Sequence, residues 1–121
     1  MSKYLLSIYS NPANWATLSD AERDGLMGEY GAFTQEIVDS GEFVDGAPLA
    51  DPTTSSTVRV RSGSADVVDG PFAESKEHLA GYYIVDCVSQ ERAVELAAKI
   101  PDARFNAVEV RAVMDLGGQE M

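Results

Sequence analysis

The residue types that could do chemistry fall into three groups. Asp69 heads the segment Asp69-Gly70-Pro71-Phe72-Ala73-Glu74-Ser75-Lys76-Glu77. A carboxylate on a loop held by a rigid scaffold can act as a general base or orient a substrate, and it can equally cap its own turn amides. Phe72 beside it could wall a pocket or plug the core, and Lys76 could contact an anion or remain, with Glu74 and Glu77, a solvated charge. The second group is Arg59, Arg61 and Arg111. If Val58/Val60 and Val108/Val110 face the helices, alternation places these arginines on the opposite sheet face, with Glu109, Ser7 and Tyr9. Guanidinium groups bind planar anions through two parallel hydrogen bonds, so that face would suit a carboxylate or another small anion; cross-strand or intersubunit pairing with acids is the alternative. The third group is aromatic: Tyr30, Tyr82 and Tyr83 could line the same cavity or pack in the core with satisfied hydroxyls.

His78 is the one histidine, and it suits acid–base work by type. Lying beside Glu77, it is expected at the surface. One histidine and one cysteine give no transition-metal site and no internal disulfide framework. Cys87 reads as a small core residue on a strand. There is no nucleophile elbow, phosphate loop or dinucleotide fingerprint, so no cofactor is implied.

These residues must be positioned by one domain, since the chain has 121 residues. Twenty acids against 9 bases give a formal charge of −11. That charge is spread, with 8 acids and 2 bases in residues 1–50 and 12 and 7 in residues 51–121. Such a surface repels phosphate backbones, which argues against nucleic-acid binding. No apolar run is long enough to cross a bilayer and the start carries no signal-peptide pattern, so a cytoplasmic protein is expected.

Along the chain, residues 3–9 alternate as a strand, and 10–18 read as a loop carrying Asn11-Pro12 and Trp15. Ser19 and Glu22 form a capping-box pattern opening a helix in which Leu26, Tyr30, Phe33 and Ile37 recur at helical spacing, and Gly41 ends it. Gly25, Gly28 and Gly31 inside this helix weaken it, and close packing against a sheet is one reason to keep them. Residues 43–49 read as a short edge strand, 56–62 and 65–68 as a hairpin, and 80–88 as the most strand-like segment. Ser89 caps a second helix that Pro101 stops, and 106–114 is the last strand. The expected fold is α+β: a ferredoxin-like βαββαβ domain over residues 1–114 with an inserted β-hairpin, two helices on one face of an antiparallel sheet, and a frayed tail over 115–121. The helix-free face needs cover, and a second copy of the chain supplies it, so a homodimer is expected.

The Asp69-Gly70-Pro71-Phe72 segment, Gly81-Tyr82-Tyr83, the opening Lys3-Tyr4-Leu5-Leu6, Tyr30-Gly31-Ala32-Phe33-Thr34 and Val108-Glu109-Val110-Arg111-Ala112-Val113 together resemble the DGPF-domain branch of the YCII-related proteins. The resemblance implies a dimeric α/β-barrel, in which two sheets pack face to face around a pocket. It brings no established reaction. Some members are encoded beside extracytoplasmic-function sigma factors, which implies a regulatory partner role as an alternative to ligand binding. In the YCII-like branch a helix histidine and a loop aspartate are proposed as a catalytic pair. Asp69 matches the aspartate, whereas the histidine position holds Tyr30, a poor base at neutral pH with a reference pKa near 10. The position of His78 is commonly Gln in that family. The expectation is therefore a homodimeric small-molecule-binding domain with Asp69 as acid–base or orienting group. Tyr9, Tyr30, Arg59, Arg61, Phe72, Lys76 and Arg111 are its expected contacts to a ligand of anionic character.

Overall fold

The computed structural model describes residues 1–73 and 75–121; the reading of Glu74 as a solvated charge lies outside the described residues. Among the described residues six strands and four α-helices follow in the order β1 (Ser2–Ser10), α1 (Pro12–Ala16), α2 (Asp20–Asp39), β2 (Phe43–Pro48), β3 (Ser56–Arg61), β4 (Ser64–Asp69), β5 (His78–Cys87), α3 (Gln90–Ala98), α4 (Asp102–Phe105) and β6 (Ala107–Ala112). The main sheet is antiparallel with strand order β2-β5-β1-β6, and β3-β4 forms a separate two-stranded sheet. Without the hairpin this is the ferredoxin-like βαββαβ topology, with β5 and β1 at the centre and β5 splitting the β1–α2–β2 unit.

Alternation sets which residues meet the helices. Tyr4, Leu6 and Ile8 of β1 and Tyr83, Val85 and Cys87 of β5 point to one face, where Phe33 and Ile37 of α2 and Leu96 and Ile100 of and beyond α3 cover them. Val108, Val110 and Ala112 of β6 pack against the same core. Cys87 is fully buried, its thiol 3.3 Å from the Ser89 carbonyl, and burial pushes its pKa up, as fits a core residue. The helix ends behave as their residues dictate. Ser19 Oγ accepts from the Glu22 amide at 3.1 Å while Glu22 accepts from the Ser19 amide at 3.0 Å. Gly41 leaves α2 at a φ of 79°.

Four features differ from the sequence reading. Residues 11–18 are not all loop: Asn11 accepts from the Ala13 amide at 3.0 Å and Pro12 occupies the first turn of α1. Gly25, Gly28 and Gly31 do not serve close packing, because a Cβ at any of them would meet nothing within 4 Å. The tail folds back, with Asp115 accepting from the Gly117 and Gln119 amides, both at 2.9 Å, and the Met121 carbonyl accepting from the Lys3 amide. Finally, Val58 and Val60 do not face the helices. The chain leaves the sheet after Pro48 and turns at Pro52–Thr54, so β3 pairs only with β4 and both valines stay exposed, 59% and 69% respectively. Among the described residues no helix is long and apolar enough to cross a membrane.

Candidate functional site

A cleft of about 720 Å³ opens between the middle of α2 and the β2–β5 edge of the sheet. It exists because the residues on its walls are small. Gly31 of α2 faces Gly46 and Ala47 of β2 and Ala80 and Gly81 of β5, so no side chain fills the space. The two strand glycines are also required by contact: a Cβ on Gly46 would sit 2.9 Å from the Tyr83 ring, and one on Gly81 3.0 Å from the Ala47 carbonyl. Around the mouth, Trp15, Met27, Leu49 and Leu79 are each more than two-fifths exposed, a ring of apolar side chains left to solvent.

Polar groups converge on this apolar space in two pairs. Tyr30 donates its hydroxyl to Asp102 Oδ2 at 2.8 Å, joining α2 to the first turn of α4. Thr34, one turn further along α2, donates to the Tyr30 carbonyl at 2.9 Å and lies 2.7 Å from Tyr83 Oη. A threonine hydroxyl has one proton, already given to the carbonyl, so Tyr83 is the donor in that contact. Burial first, then the hydrogen bond to Asp102, raises Tyr30 far above the ordinary phenol range. Tyr30 is thereby held as a protonated donor to Asp102. Tyr82 is also raised, by the charge of Asp45 and by the hydrogen bond that its hydroxyl donates to Asp45 Oδ2 at 3.2 Å.

A second, more open groove of about 590 Å³ adjoins the cleft, lined by Pro71 and Phe72 of the loop, Ser55 and Thr57 before and within β3, and His78. His78 and Leu79 line both spaces, together with Leu49, Ala50 and Pro52. Asp51 at the shared border is held below the usual carboxylate range, mainly by the amide and hydroxyl of Thr53, with a smaller pull from His78. The loop itself is built as its residues require. Gly70 adopts a φ of 101°, its amide donates to the Ser55 carbonyl at 2.6 Å, and its carbonyl accepts from Thr57 Oγ1 at 2.8 Å.

Of the residues singled out by sequence, Tyr30 lines the cleft and Phe72 the groove. The arginines are divided rather than gathered, because the hairpin that carries two of them is not part of the sheet that carries the third. Arg59 stacks over the Phe72 ring at 4.8 Å, Arg61 is exposed at the end of β3, and Arg111 pairs with Glu109 at 2.8 Å on the main sheet. Tyr9 and Lys76 line neither space. Asp69 is exposed at the end of β4; among the described residues it makes no side-chain hydrogen bond and borders neither cavity. Asp102, Thr34 and His78 were not singled out as contacts. Thr34 could have been found one helical turn after Tyr30, on the same face; nothing in the sequence ties Asp102 to a tyrosine 72 residues away.

Comparison with known proteins adds two findings. Residues 2–117 match the family described as YCII-related domain. An uncharacterized protein of Rhizobium meliloti (strain 1021) is 32% identical over 100 residues, which cover 83% of this chain and 81% of that one.

Proposed function

The chain belongs to the YCII-related domain family, and from that premise we propose that it binds a small organic molecule in the cleft between α2 and the β2–β5 edge. One observation carries the reading: an apolar space of ligand size in which the Tyr30, Thr34, Tyr83 and Asp102 polar groups converge. Small-molecule sites are concave, mostly apolar and oriented by a few fixed polar groups, and surfaces built only for stability rarely leave such a volume open. Tyr30 acts as a donor anchored by Asp102. The Tyr83 hydroxyl, whose proton is committed to Thr34, offers its lone pairs. The Phe72 loop closes the adjoining groove, clamped to the hairpin by Arg59. The same proposal includes a second copy of the chain over the helix-free sheet face.

The test fills the cleft. Gly31→Leu should be tolerated, because its Cβ meets open space and leucine favours a helix. A fragment library read by thermal shift is expected to give compounds that raise the melting temperature of the native protein. Those compounds should lose their effect in Gly31→Leu. A library without stabilising compounds, or hits that persist in the filled variant, would reject this site.

A further inference from the structure

We infer that the head group recognised in the cleft is a cation, an amine or ammonium carried on an apolar body, with the Asp102 carboxylate as its partner. This deepens the reading above and rests on it. Among the residues lining the cleft the formally charged groups are Asp51 and Asp102; there is no lysine or arginine, and His78 is the one lining group able to add positive charge. The cations carried by α2, α4 and the end of α3 are already committed. Arg104 holds Glu29 through two hydrogen bonds at 3.0 and 2.9 Å, Lys99 holds Glu36 at 2.8 Å, and Arg23 bonds the Trp15 and Ala16 carbonyls. None is free to greet an anion, and a carboxylate ligand would enter against two acids.

The opposite charge finds what it needs. Asp102 is half-buried at the cleft wall, with Oδ2 accepting from Tyr30 and no hydrogen bond to Oδ1 among the described residues. Tyr30 thus aims the carboxylate instead of neutralising it. The walls are aromatic: Tyr83 and Phe43 meet edge-on at 6.4 Å, and Trp15 stands at the mouth. Aromatic faces attract ammonium groups, and Trp15 already carries the Arg23 guanidinium 5.8 Å from its ring. The net charge of −11 favours arrival of cations over the whole surface.

Three probes of one shape test this: 2-phenylethylamine, 2-phenylethanol and 3-phenylpropionate, titrated into the full chain and followed by amide chemical shifts of Ala47, Leu79 and Gly81. The amine is expected to bind most tightly and the carboxylate most weakly. Asp102→Asn, which keeps an acceptor for Tyr30, should weaken the amine by at least about tenfold and the alcohol by much less, so that the preference for the amine is lost. Tyr30→Phe keeps the carboxylate and should retain the preference for the amine. Equal binding of amine and alcohol, or tighter binding of the carboxylate, overturns the cationic head group while leaving the cleft a binding site. Undiminished amine binding in Asp102→Asn overturns the role of Asp102. Absence of binding by all three probes removes both readings.

Discussion

Glu42 is 9% exposed, directly after the glycine that ends α2, and its carboxylate holds Arg92 of α3 by hydrogen bonds of 3.0 Å to Nε and 2.9 Å to Nη2. Ser40 adds a third at 2.8 Å. Arg92, followed by Ser40, keeps the Glu42 carboxyl below its ordinary value of 4.5, against the opposing effect of burial. A depressed folded-state pKa means that the unfolded chain binds the proton more readily. The stabilisation is therefore complete above about pH 4.5 and is lost as pH falls from there through the lower folded value. Glu42→Gln should flatten the acid side of the stability–pH curve and leave the slope between pH 6 and 8 untouched, as read by urea unfolding at a series of pH values. An equally steep acid side in the variant would place the acid sensitivity elsewhere. Removing Arg92 should be harsher than removing Glu42, because it strands a shielded charge: about 3 kcal/mol is the order expected for Arg92→Ala.

At the scale of the element, α2 is stable for reasons distinct from its glycines. Its capping box and its two buried anchors, Phe33 and Ile37, suffice to place it, and Gly25 is exposed with open space around its missing Cβ. Gly25→Ala should raise stability by about 1 kcal/mol and the melting temperature by a few degrees. Gly46→Ala on β2 should do the reverse. Its Cβ would press on a Tyr83 ring pinned by Thr34 and by edge-to-face contact with Phe33 at 5.2 Å, so a loss of about 1–3 kcal/mol is expected, with the cleft distorted. Thermal melts of both variants check the pair, and a neutral Gly46→Ala would mean that Tyr83 moves freely. This contrast shows what the sequence could convey. The Ser19–Glu22 spacing and the alternation of β1 and β5 are local patterns, and these three elements stand where those patterns put them; α3 ends at Ala98, short of Pro101, which instead opens α4. Alternation at Val58 and Val60 announced strands but carried no information about the partner, and the hairpin pairs only with itself. Tyr30 was legible as a cavity-lining tyrosine, and it does line the cleft. Asp102, one of two carboxylates lining the cleft, was not, because only folding brings α4 to α2. The cleft itself is lined by Gly31, Gly46 and Gly81 from two strands and a helix, a coincidence of small residues that no single segment displays.

On the scale of the molecule, the unpartnered surface is the sheet face opposite α2 and α3. Leu5 and Ile84 lie opposite each other in the β1–β5 register on that face, flanked by Ser7 and Tyr82. All are at least partly shielded by their neighbours without a covering layer. Beside them Asp86 keeps Oδ1 out of solvent with no hydrogen-bond partner among the described residues, a state that a donor from a second copy would relieve. A second copy placed sheet to sheet would be related by a two-fold axis and should bury on the order of 1,200–2,000 Å² in total if the pair is stable. Sedimentation equilibrium should then report twice the 13.0 kDa chain mass. Ile84→Glu should give a monomer with an unchanged circular dichroism spectrum, since the side chain lies away from the helix-covered core. Charge sets a further expectation. Each copy carries −11, so the two repel, and salt should tighten the dimer. Raising ionic strength from roughly 0.01 to 0.15 M shortens the screening length from about 30 to about 8 Å. An interface held mainly by Arg111, Glu109 and other charged pairs would weaken under the same change, and one held by Leu5 and Ile84 would strengthen. A chain that sediments as a monomer at both salt concentrations would leave the sheet face uncovered and reject the paired assembly.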